Sequence, residues 1–366
     1  MSNKLKIVVY TICKNEEKFV DRWVKSMQEA DEIVVLDTGS TDNTVSKLKK
    51  LGVKVEQKVF SPFRFDQARN CSLDLIPSDT DVCVCTDLDE VFENNWREKI
   101  EKVWIKGQTK MLNYTYVWNA LENGQDGITF YYQKIHAKDC ARWIYPVHEV
   151  LEYSPPLKPY EITYNKDLVL RHFPDPSKSR SSYLSLLELS VKEYPESDRN
   201  THYLAREYMF YGKYEQAIKT FKKHLKMKNA TWKEEKSASC RYIGDCYTQL
   251  KKFALAKKYY KQAIAVCPDI REPYFALAKF YYEQKKYIEC IITIFAMLSI
   301  TNRNYSYMTQ SECWQELPYD YLSMCFYFIK DYQKAYMYCQ KALEITPNDK
   351  RIANNFKIFE NLIKNS

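Results

Sequence analysis

The second half of the chain repeats a short pattern that only a helical fold satisfies. In each copy an aromatic residue stands three positions before a small one, at Tyr214–Ala217, Phe253–Ala256, Tyr287–Cys290 and Tyr332–Ala335. The aromatic residues are separated by 39, 34 and 45 positions. Stacked helix pairs of about 34 residues have this pattern, because the small residue lets two helices approach closely. The pattern predicts an all-α superhelix with insertions near 229–236 and 301–313; an irregular helical bundle is the alternative.

Residues 1–175 have a different pattern, in which strand-like and helical segments alternate. Apolar or β-branched runs at 6–10, 33–36, 53–55 and 81–85 are the predicted strands. The helical stripes that alternate with them lie at 16–28, 43–51 and 66–75. Continuous apolar strands that alternate with helices form a parallel sheet covered on both faces. The first half is therefore predicted to be an α/β domain.

Proline marks the region between the two halves. Seven of the 13 prolines fall between Pro146 and Pro195. Because proline lacks a backbone N–H and has a fixed φ, this region is predicted to be turn-rich and poorly helical.

Glycine and cysteine usage excludes two kinds of site. The chain has only 7 glycines, and neither a G-x-G-x-x-G nor a G-x-x-x-x-G-K-[ST] loop occurs. Nucleotide binding through either of these glycine-rich loops is therefore excluded. The 12 cysteines include no C-x-x-C pair, so the cysteine spacing of a zinc site is absent as well.

Charge and apolar patterning bear on partners and location. The formal net charge is +8, and lysines are spread along helical faces rather than gathered in one block, which argues against a nucleic-acid partner. The longest apolar stretch, residues 291–300, is about half of what a membrane span needs. The first residues lead directly into a predicted strand, without the apolar core of a signal peptide. We therefore expect a cytoplasmic protein without a membrane span.

Acidic residues follow two of the predicted strands. Asp87 and Asp89 come after the fourth strand, and Asp37 follows the second. Residues i and i+2 of an extended chain point the same way, so Asp87 and Asp89 are expected to converge on a divalent cation that also binds phosphates. The alternative for this pair is a helix N-cap with an acidic first turn. Asp37 either accepts a hydrogen bond from a base edge or belongs to a turn in which Gly39 has a positive φ.

Four motifs occur together in the order typical of family 2 glycosyltransferases. They are Lys14-Asn15-Glu16-Glu17, residues 31–42, Ala68-Arg69-Asn70 and Asp87-Leu88-Asp89. Residues 5–180 therefore resemble that family, whose GT-A fold is a Rossmann-like, mostly parallel sheet with helices. The second half resembles tetratricopeptide repeats, and the whole chain resembles the bacterial sublancin-type S-glycosyltransferases.

The resemblance implies roles for residues at the strand ends. The residues it places around the nucleotide are Thr11, Cys13, Glu16, Asp37, Arg69 and Asp87, the last facing the ribose. It implies that Asp89 holds Mn²⁺ or Mg²⁺ on the donor diphosphate, with Asp87 as a further candidate ligand. GT-A enzymes commonly add a late histidine to the metal, here His172. Some also have a lysine six residues further on that reaches the diphosphate, here Lys178.

Sugar transfer with inversion also needs a base that removes a proton from the acceptor. The family carries a His-Glu pair where this chain has His148 and Glu149. Glu149 is the favoured base and His148 the alternative catalytic residue. An exposed acid on a strand edge, without a catalytic role, is the structural alternative.

Together these observations predict a metal-dependent, inverting glycosyltransferase. Residues 1–178 would form the GT-A domain, and residues 179–366 the tetratricopeptide-repeat domain. The repeat domain offers a concave surface suited to a peptide and an edge suited to a homodimer. The predicted donor is a UDP-sugar, and the predicted acceptor is a peptide or protein. Two alternatives stay open: a non-catalytic peptide-binding scaffold with a degenerate α/β domain, and a transferase acting on a polysaccharide precursor.

Overall fold

A computed structural model describes residues 4–121, 125–175 and 182–364. The chain forms two compact units, residues 1–193 and 194–366. The first unit thus extends past residue 178, where the sequence suggested a boundary, and includes the helix Tyr183–Glu193. An ion pair between Arg64 and Glu193, at 2.8 Å, ties this helix to the first unit.

The first unit is built around one large sheet. Its strands in the described ranges are β1 (Ile7–Cys13), β2 (Glu32–Asp37), β3 (Lys54–Gln57), β4 (Val82–Cys85), β5 (Glu90–Phe92), β6 (Met111–Val117), β7 (Ile128–Ala137), β8 (Ala141–Ile144), β9 (Val150–Tyr153) and β10 (Ile162–His172). The sheet has the order β3-β2-β1-β4-β7-β6-β10-β5, and β8 pairs with β9 separately. Pairing is parallel from β3 to β4 and between β6 and β10, and it is antiparallel at β7 and β5. The prediction of an α/β unit with a mostly parallel sheet is confirmed.

Helices cover this sheet with apolar stripes. They are α1 (Val20–Met27), α2 (Thr44–Lys50), α3 (Phe65–Asp74), α4 (Trp96–Glu101) and α5 (Tyr183–Glu193), with a 3₁₀ turn at Pro159–Glu161. Helix α1 buries Val20, Trp23, Val24 and Met27, which stand at the i, i+3, i+4 and i+7 spacing of one helical face. Because β1 is buried along its whole length, its carboxyl end lies inside the unit rather than at an exposed rim.

The proline-rich region contains more regular structure than the sequence suggested. The prediction that residues 146–195 are turn-rich and poorly helical is wrong for α5, which is eleven residues long, and it understates the regular structure of the region, since β10 spans Ile162–His172. The prolines flank these elements instead of interrupting them, since none occurs between Pro159 and Pro174 or between Pro176 and Pro195. The count of prolines in the window hid their clustering at element boundaries.

The second unit consists of helix pairs. Its helices in the described ranges are α6 (Asp198–Phe210), α7 (Tyr214–Lys226), α8 (Lys233–Gln249), α9 (Phe253–Val266), α10 (Glu272–Glu283), α11 (Tyr287–Leu298), α12 (Leu317–Phe328), α13 (Tyr332–Ile345) and α14 (Lys350–Lys364). Each aromatic residue of the repeated pattern is the first residue of the second helix in a pair. Each small residue, Ala217, Ala256, Cys290 and Ala335, is fully buried. The predicted repeat is confirmed.

The two longer spacings have different structural origins. The first corresponds to α8, which is 17 residues long. The second corresponds to the connection between α11 and α12, which holds a two-residue strand, Thr309–Gln310, and a 3₁₀ turn, Ser311–Cys313. Among the described helices, none combines the length and the apolar character that crossing a membrane requires.

Candidate active site

Asp37, at the carboxyl end of β2, is buried inside a turn. Its carboxylate accepts hydrogen bonds from the backbone N–H groups of Gly39 and Ser40, from the Ser40 hydroxyl, and from the Gln57 amide at 3.2 Å. Gly39 has a φ of 109°, as the turn interpretation requires. The Cys13 thiol lies 3.7 Å from the same carboxylate, and burial together with Asp37 raises the pKa of this thiol. These donors fill most of the roughly four acceptor positions of a carboxylate.

Thr11 and Glu16 occupy different environments near β1. The Thr11 side chain is fully buried within the strand, and its hydroxyl donates to a neighbouring backbone carbonyl at 3.1 Å. Glu16 follows the strand, and its backbone N–H donates to Thr44 Oγ1 at 2.7 Å. Since β1 and β2 pair with Cys13 opposite Asp37, the structure brings Cys13, Glu16 and Asp37 to one edge of the sheet. Thr11 lies deeper in the strand.

Asp87, after β4, is held between two cations. One carboxylate oxygen accepts from Arg69 Nη2 at 2.5 Å, and the other accepts from Lys134 Nζ at 2.9 Å. Burial alone would raise the pKa of Asp87, but the charges of Arg69 and Lys134 lower it well below its usual value. Asp87 is therefore ionised, and both of its oxygens have a charged partner.

Lys134 and Glu90 complete this network, and neither was singled out from the sequence. Lys134, on β7, also lies 3.3 Å from Glu90 Oε1, and Tyr116 donates to the same oxygen at 2.8 Å. Glu90 Oε2 accepts from the backbone N–H of Asp87 at 2.8 Å. A lysine in the middle of an aromatic strand is the signal that could have identified Lys134, because a buried ammonium needs carboxylate partners.

Asp89 and His172 come together although 83 positions separate them. β10 and β5 pair with His172 opposite Glu90, which places the imidazole beside Asp89, and the distance from His172 Nε2 to Asp89 Oδ2 is 3.4 Å. His172 Nδ1 is 2.9 Å from the carbonyl oxygen of Trp118, which fixes this nitrogen as the N–H donor and turns Nε2 toward Asp89. Burial alone would lower the pKa of His172, but the hydrogen bond and charge of Asp89 raise it.

Glu149 belongs to the same region through Arg69. Arg69 Nε donates to Glu149 Oε1 at 2.9 Å, so one buried guanidinium joins Glu149 to Asp87. Asn70, the next residue of α3, exchanges two hydrogen bonds with the backbone of Trp143 in β8, at 2.8 and 2.9 Å. The Ala68-Arg69-Asn70 motif therefore positions the loop between β8 and β9.

The β8–β9 loop that carries the predicted base has an unusual backbone. Tyr145 and His148 have φ values of 79° and 52°, in the left-handed region. The His148 ring stands edge-on to Tyr183, with the ring centroids 5.8 Å apart. Residues held in this region of φ cluster at functional sites.

Arg22 supplies positive charge near Asp89. Lys178 lies outside the described residues. Arg22, on α1, stacks on the Phe173 ring at 4.3 Å and interacts electrostatically with Asp89. Arg171, in contrast, is paired with Glu93 at 2.8 Å and with Asp126.

The first unit matches a known protein family. Residues 8–147 match the family model described as "Glycosyl transferase family 2". The chain carries a family 2 glycosyltransferase domain. The finer resemblance to sublancin-type enzymes stays a prediction.

Two further family models match the helices that follow the glycosyltransferase domain. "Tetratricopeptide repeat" matches residues 243–270, and "Prolyl 4-hydroxylase peptide-substrate-binding domain" matches residues 272–365. The glycosyltransferase domain is thus followed by tetratricopeptide repeats.

Among solved structures, the C-terminal part of a TPR repeat-containing protein from Cytophaga hutchinsonii is 18% identical, covering 50% of this chain and 66% of that chain, with a TM-score of 0.42. MamA protein is 16% identical over 47% and 85%, with a TM-score of 0.37. YrrB, described as a TPR protein with an unusual peptide-binding site, is 15% identical over 48% and 82%, with a TM-score of 0.37.

The donor atoms in the glycosyltransferase domain suit a divalent cation. The pair Asp89 and His172 offers a carboxylate oxygen and an imidazole nitrogen whose other ring nitrogen is fixed by a backbone carbonyl, the arrangement that orients histidine ligands in metal sites. Asp87 offers less, because Arg69 and Lys134 already engage its oxygens. A cation at Asp89 and His172 would supply charge to a diphosphate leaving group.

Proposed function

We propose that this chain transfers a sugar from a UDP-sugar to a peptide or protein acceptor, with inversion, using Mn²⁺ or Mg²⁺ held by Asp89 and His172. The observation that carries the proposal is the 3.4 Å contact between Asp89 and His172, with the second nitrogen of His172 bound to the Trp118 carbonyl. When bound, the cation neutralises negative charge that develops on the departing diphosphate. In this proposal, side chains of the domain bind the nucleotide and remove the proton from the acceptor.

The nucleotide would be bound beside the metal by residues of β1, β2 and β4. Asp87 is the candidate for the ribose, because an ionised carboxylate fixed by two cations is a rigid acceptor for hydroxyl groups. To bind the metal, an Asp87 oxygen would have to leave Arg69 or Lys134, so we assign the metal to Asp89 and His172. Arg22, through its position near Asp89, is a candidate cation for the diphosphate alongside Lys178.

Glu149 is the proposed base, and His148 the alternative. The Arg69 guanidinium orients the Glu149 carboxylate through Oε1, and Glu149 is partly exposed at 11%. General bases must lie within hydrogen-bond reach of the proton they remove, and a carboxylate held by a buried cation keeps its position while the acceptor docks. His148 has a left-handed φ, a conformation that clusters at functional sites, and this supports a functional role for the β8–β9 loop.

A peptide or protein acceptor is supported by the family model for a peptide-substrate-binding domain over residues 272–365. Tetratricopeptide arrays present extended surfaces for such partners. Dimerisation through the repeats and a cytoplasmic location stay predictions. A non-catalytic scaffold remains the competing function, and it differs by predicting no donor turnover.

The decisive experiment compares Asp89→Asn with Asp21→Asn, a matched change at an exposed acid of α1. We expect UDP-sugar hydrolysis and sugar transfer to require Mn²⁺ or Mg²⁺, to stop with chelator, and to fall about 10³-fold in Asp89→Asn. Asp21→Asn should behave like wild type. Turnover that ignores both chelator and Asp89→Asn would refute the metal assignment, and no binding of UDP-sugars with metal would favour the scaffold.

A further inference from the structure

The helical unit buries a cluster of titratable side chains that sugar transfer does not use. His202 on α6 and His224 on α7 are the histidines of residues 194–366, and both are fully buried. Glu235 on α8 is buried with them. Three consecutive helices thus each contribute one side chain that commonly binds metals.

Ser239 organises both imidazole rings. Its hydroxyl lies 2.8 Å from His202 Nδ1 and 2.9 Å from His224 Nδ1. Ser239 follows Glu235 by one helical turn, so the two residues lie on the same face of α8. Because both rings use Nδ1 at the same hydroxyl, both keep Nε2 for a different partner.

The two Nε2 atoms meet oxygen atoms. His224 Nε2 is 3.2 Å from Glu235 Oε1, and within the described part of the chain this buried nitrogen has no hydrogen-bond partner. His202 Nε2 is 2.9 Å from the hydroxyl of Tyr307 in the α11–α12 connection. A ring nitrogen from each histidine and a Glu235 oxygen all lie within 4.8 Å of one another.

A buried ring nitrogen that lacks a hydrogen-bond partner calls for a physical explanation, and a bound ion shared with the nearby carboxylate is one. We propose that His202, His224 and Glu235 bind Zn²⁺, with Tyr307 as the fourth ligand and Ser239 as the residue that orients both imidazoles. Neighbouring ligands in a tetrahedral zinc site are about 3.3 Å apart, given zinc–ligand distances of about 2.0–2.1 Å. The distance from His224 Nε2 to Glu235 Oε1 is 3.2 Å, and that from His202 Nε2 to the Tyr307 hydroxyl is 2.9 Å, both close to this spacing. On zinc binding, these two pairs of atoms would have to move closer to each other.

The charges around the site favour this ligand set. Zinc binding releases the Tyr307 hydroxyl proton to solvent, so the phenolate and the Glu235 carboxylate balance the two positive charges of the ion. The guanidinium groups of Arg206, Arg199 and Arg241 also act on His202 and oppose a further positive charge, so the site needs both anionic ligands. The ion would join α6, α7, α8 and the α11–α12 connection, giving it a structural role separate from sugar transfer.

The test uses the full chain, purified without a histidine tag and without added metal. We expect wild type to contain about one more zinc ion per chain than Glu235→Gln, as measured by inductively coupled plasma mass spectrometry. Glu215→Gln is the control, because Glu215 is an exposed acid of α7, the helix that also carries His224. The difference between the two variants removes any zinc bound at Asp89 from the comparison.

A second measurement does not depend on the folding of Glu235→Gln. Metal-free wild type and Ser239→Ala are titrated with Zn²⁺ against a coloured chelator, and loss of the orienting hydroxyl should weaken affinity about 10–100-fold. Co²⁺ in wild type should give the visible absorption of tetrahedral coordination. Equal zinc content in wild type and Glu235→Gln, or equal affinity in wild type and Ser239→Ala, would overturn the proposal and leave a hydrogen-bond network without metal.

Discussion

Two aspartates at neighbouring ends of one sheet have opposite environments. Asp37 follows β2 and Asp89 follows β4, and both strands flank β1. Asp37 is fully buried and receives neutral donors from Gly39, Ser40 and Gln57. Asp89 keeps 14% of its side chain exposed and faces the His172 imidazole. The same kind of strand-end position therefore holds one carboxylate surrounded by neutral donors and one carboxylate that faces an imidazole from another strand.

The two aspartates have the same kind of position in the sheet, and the groups around each carboxylate are what distinguish them. At the β2 end the donors to Asp37 are neutral; Gly39 and Ser40 lie within three residues of it, and Gln57 is 20 positions away. The β4 end depends on Arg69 from α3 and Lys134 from β7, which are remote in sequence and both charged. The first arrangement satisfies a carboxylate with neutral donors, whereas the second brings two cations to the carboxylate of Asp87. Three measurements test this distinction.

The largest effect is expected when the β4 end loses its buried cation. Lys134→Met leaves Glu90 buried without its ammonium partner and Asp87 with Arg69 alone. Breaking a buried ion pair from one side costs about 3–5 kcal/mol. We expect urea denaturation to show a loss of this size in the free energy of unfolding.

The control for this change is Lys166→Met, at an exposed lysine of β10. It should change the free energy of unfolding by less than about 0.5 kcal/mol. If Lys134→Met were as stable as this control, the ion pairs of Lys134 would not stabilise the segment after β4. The proposed difference between this segment and the surroundings of Asp37 would then be wrong.

A smaller effect follows from His136, two residues after Lys134 on β7. Burial lowers the pKa of His136 from 6.5 to about 4, and its Nε2 is 2.8 Å from the Tyr10 hydroxyl. The unfolded chain therefore binds a proton between pH 6.5 and pH 4 that the folded protein does not. Stability should fall as the pH drops through this window, by about 3 kcal/mol in total.

The measurement compares urea unfolding of wild type and His136→Gln from pH 7 to pH 4. Because other groups titrate in both proteins, the difference between the two pH profiles isolates His136. Wild type should lose more stability with acid than the variant. If the two proteins lost stability equally with falling pH, the His136 imidazole would bind its proton in the folded protein as readily as in the unfolded chain. A second positive charge on β7, besides Lys134, would then cost no stability.

Much of this architecture could be predicted from the sequence because its signals are local. The aromatic and small residues of the repeats, such as Tyr214 and Ala217, follow from helical periodicity, and the burial of Ala217 confirms that interpretation. The acids after β2 and β4 follow from strand ends. Family resemblance added His172, whose contact with Asp89 needs the β5–β10 register that no local pattern reveals.

The parts that sequence reasoning missed depend on long-range pairing. Lys134 meets Asp87 only because β7 runs antiparallel beside β4, and nothing within a few residues of Lys134 encodes that neighbour. Strand β10 was missed as a long strand because prolines were counted over a window, although the stretch from Pro159 to Pro174 contains none. The side chain of Thr11 is fully buried within β1, and its assignment to the nucleotide site stays a prediction.

The smallest effect tests the two aspartates directly. Asp37→Asn replaces one acceptor oxygen with an NH₂ group that faces the N–H donors of Gly39 and Ser40. Leaving such buried donors unsatisfied costs about 1–3 kcal/mol. Asp89→Asn, the same substitution at the other strand end, removes the charge that faces His172 but leaves no comparable set of backbone donors unsatisfied, so its loss in the free energy of unfolding should be smaller than that of Asp37→Asn.

Urea denaturation and UDP titration of both variants separate a structural role from a binding role. If the turn accounts for Asp37, its variant loses stability but, once folded, binds UDP with Mn²⁺ within a few-fold of wild type. A stable Asp37→Asn protein that no longer binds UDP would instead place this carboxylate in the uridine pocket that the family resemblance implies. In that case the donors from Gly39, Ser40 and Gln57 would serve to aim the carboxylate at the base, and both strand ends would bind the same ligand.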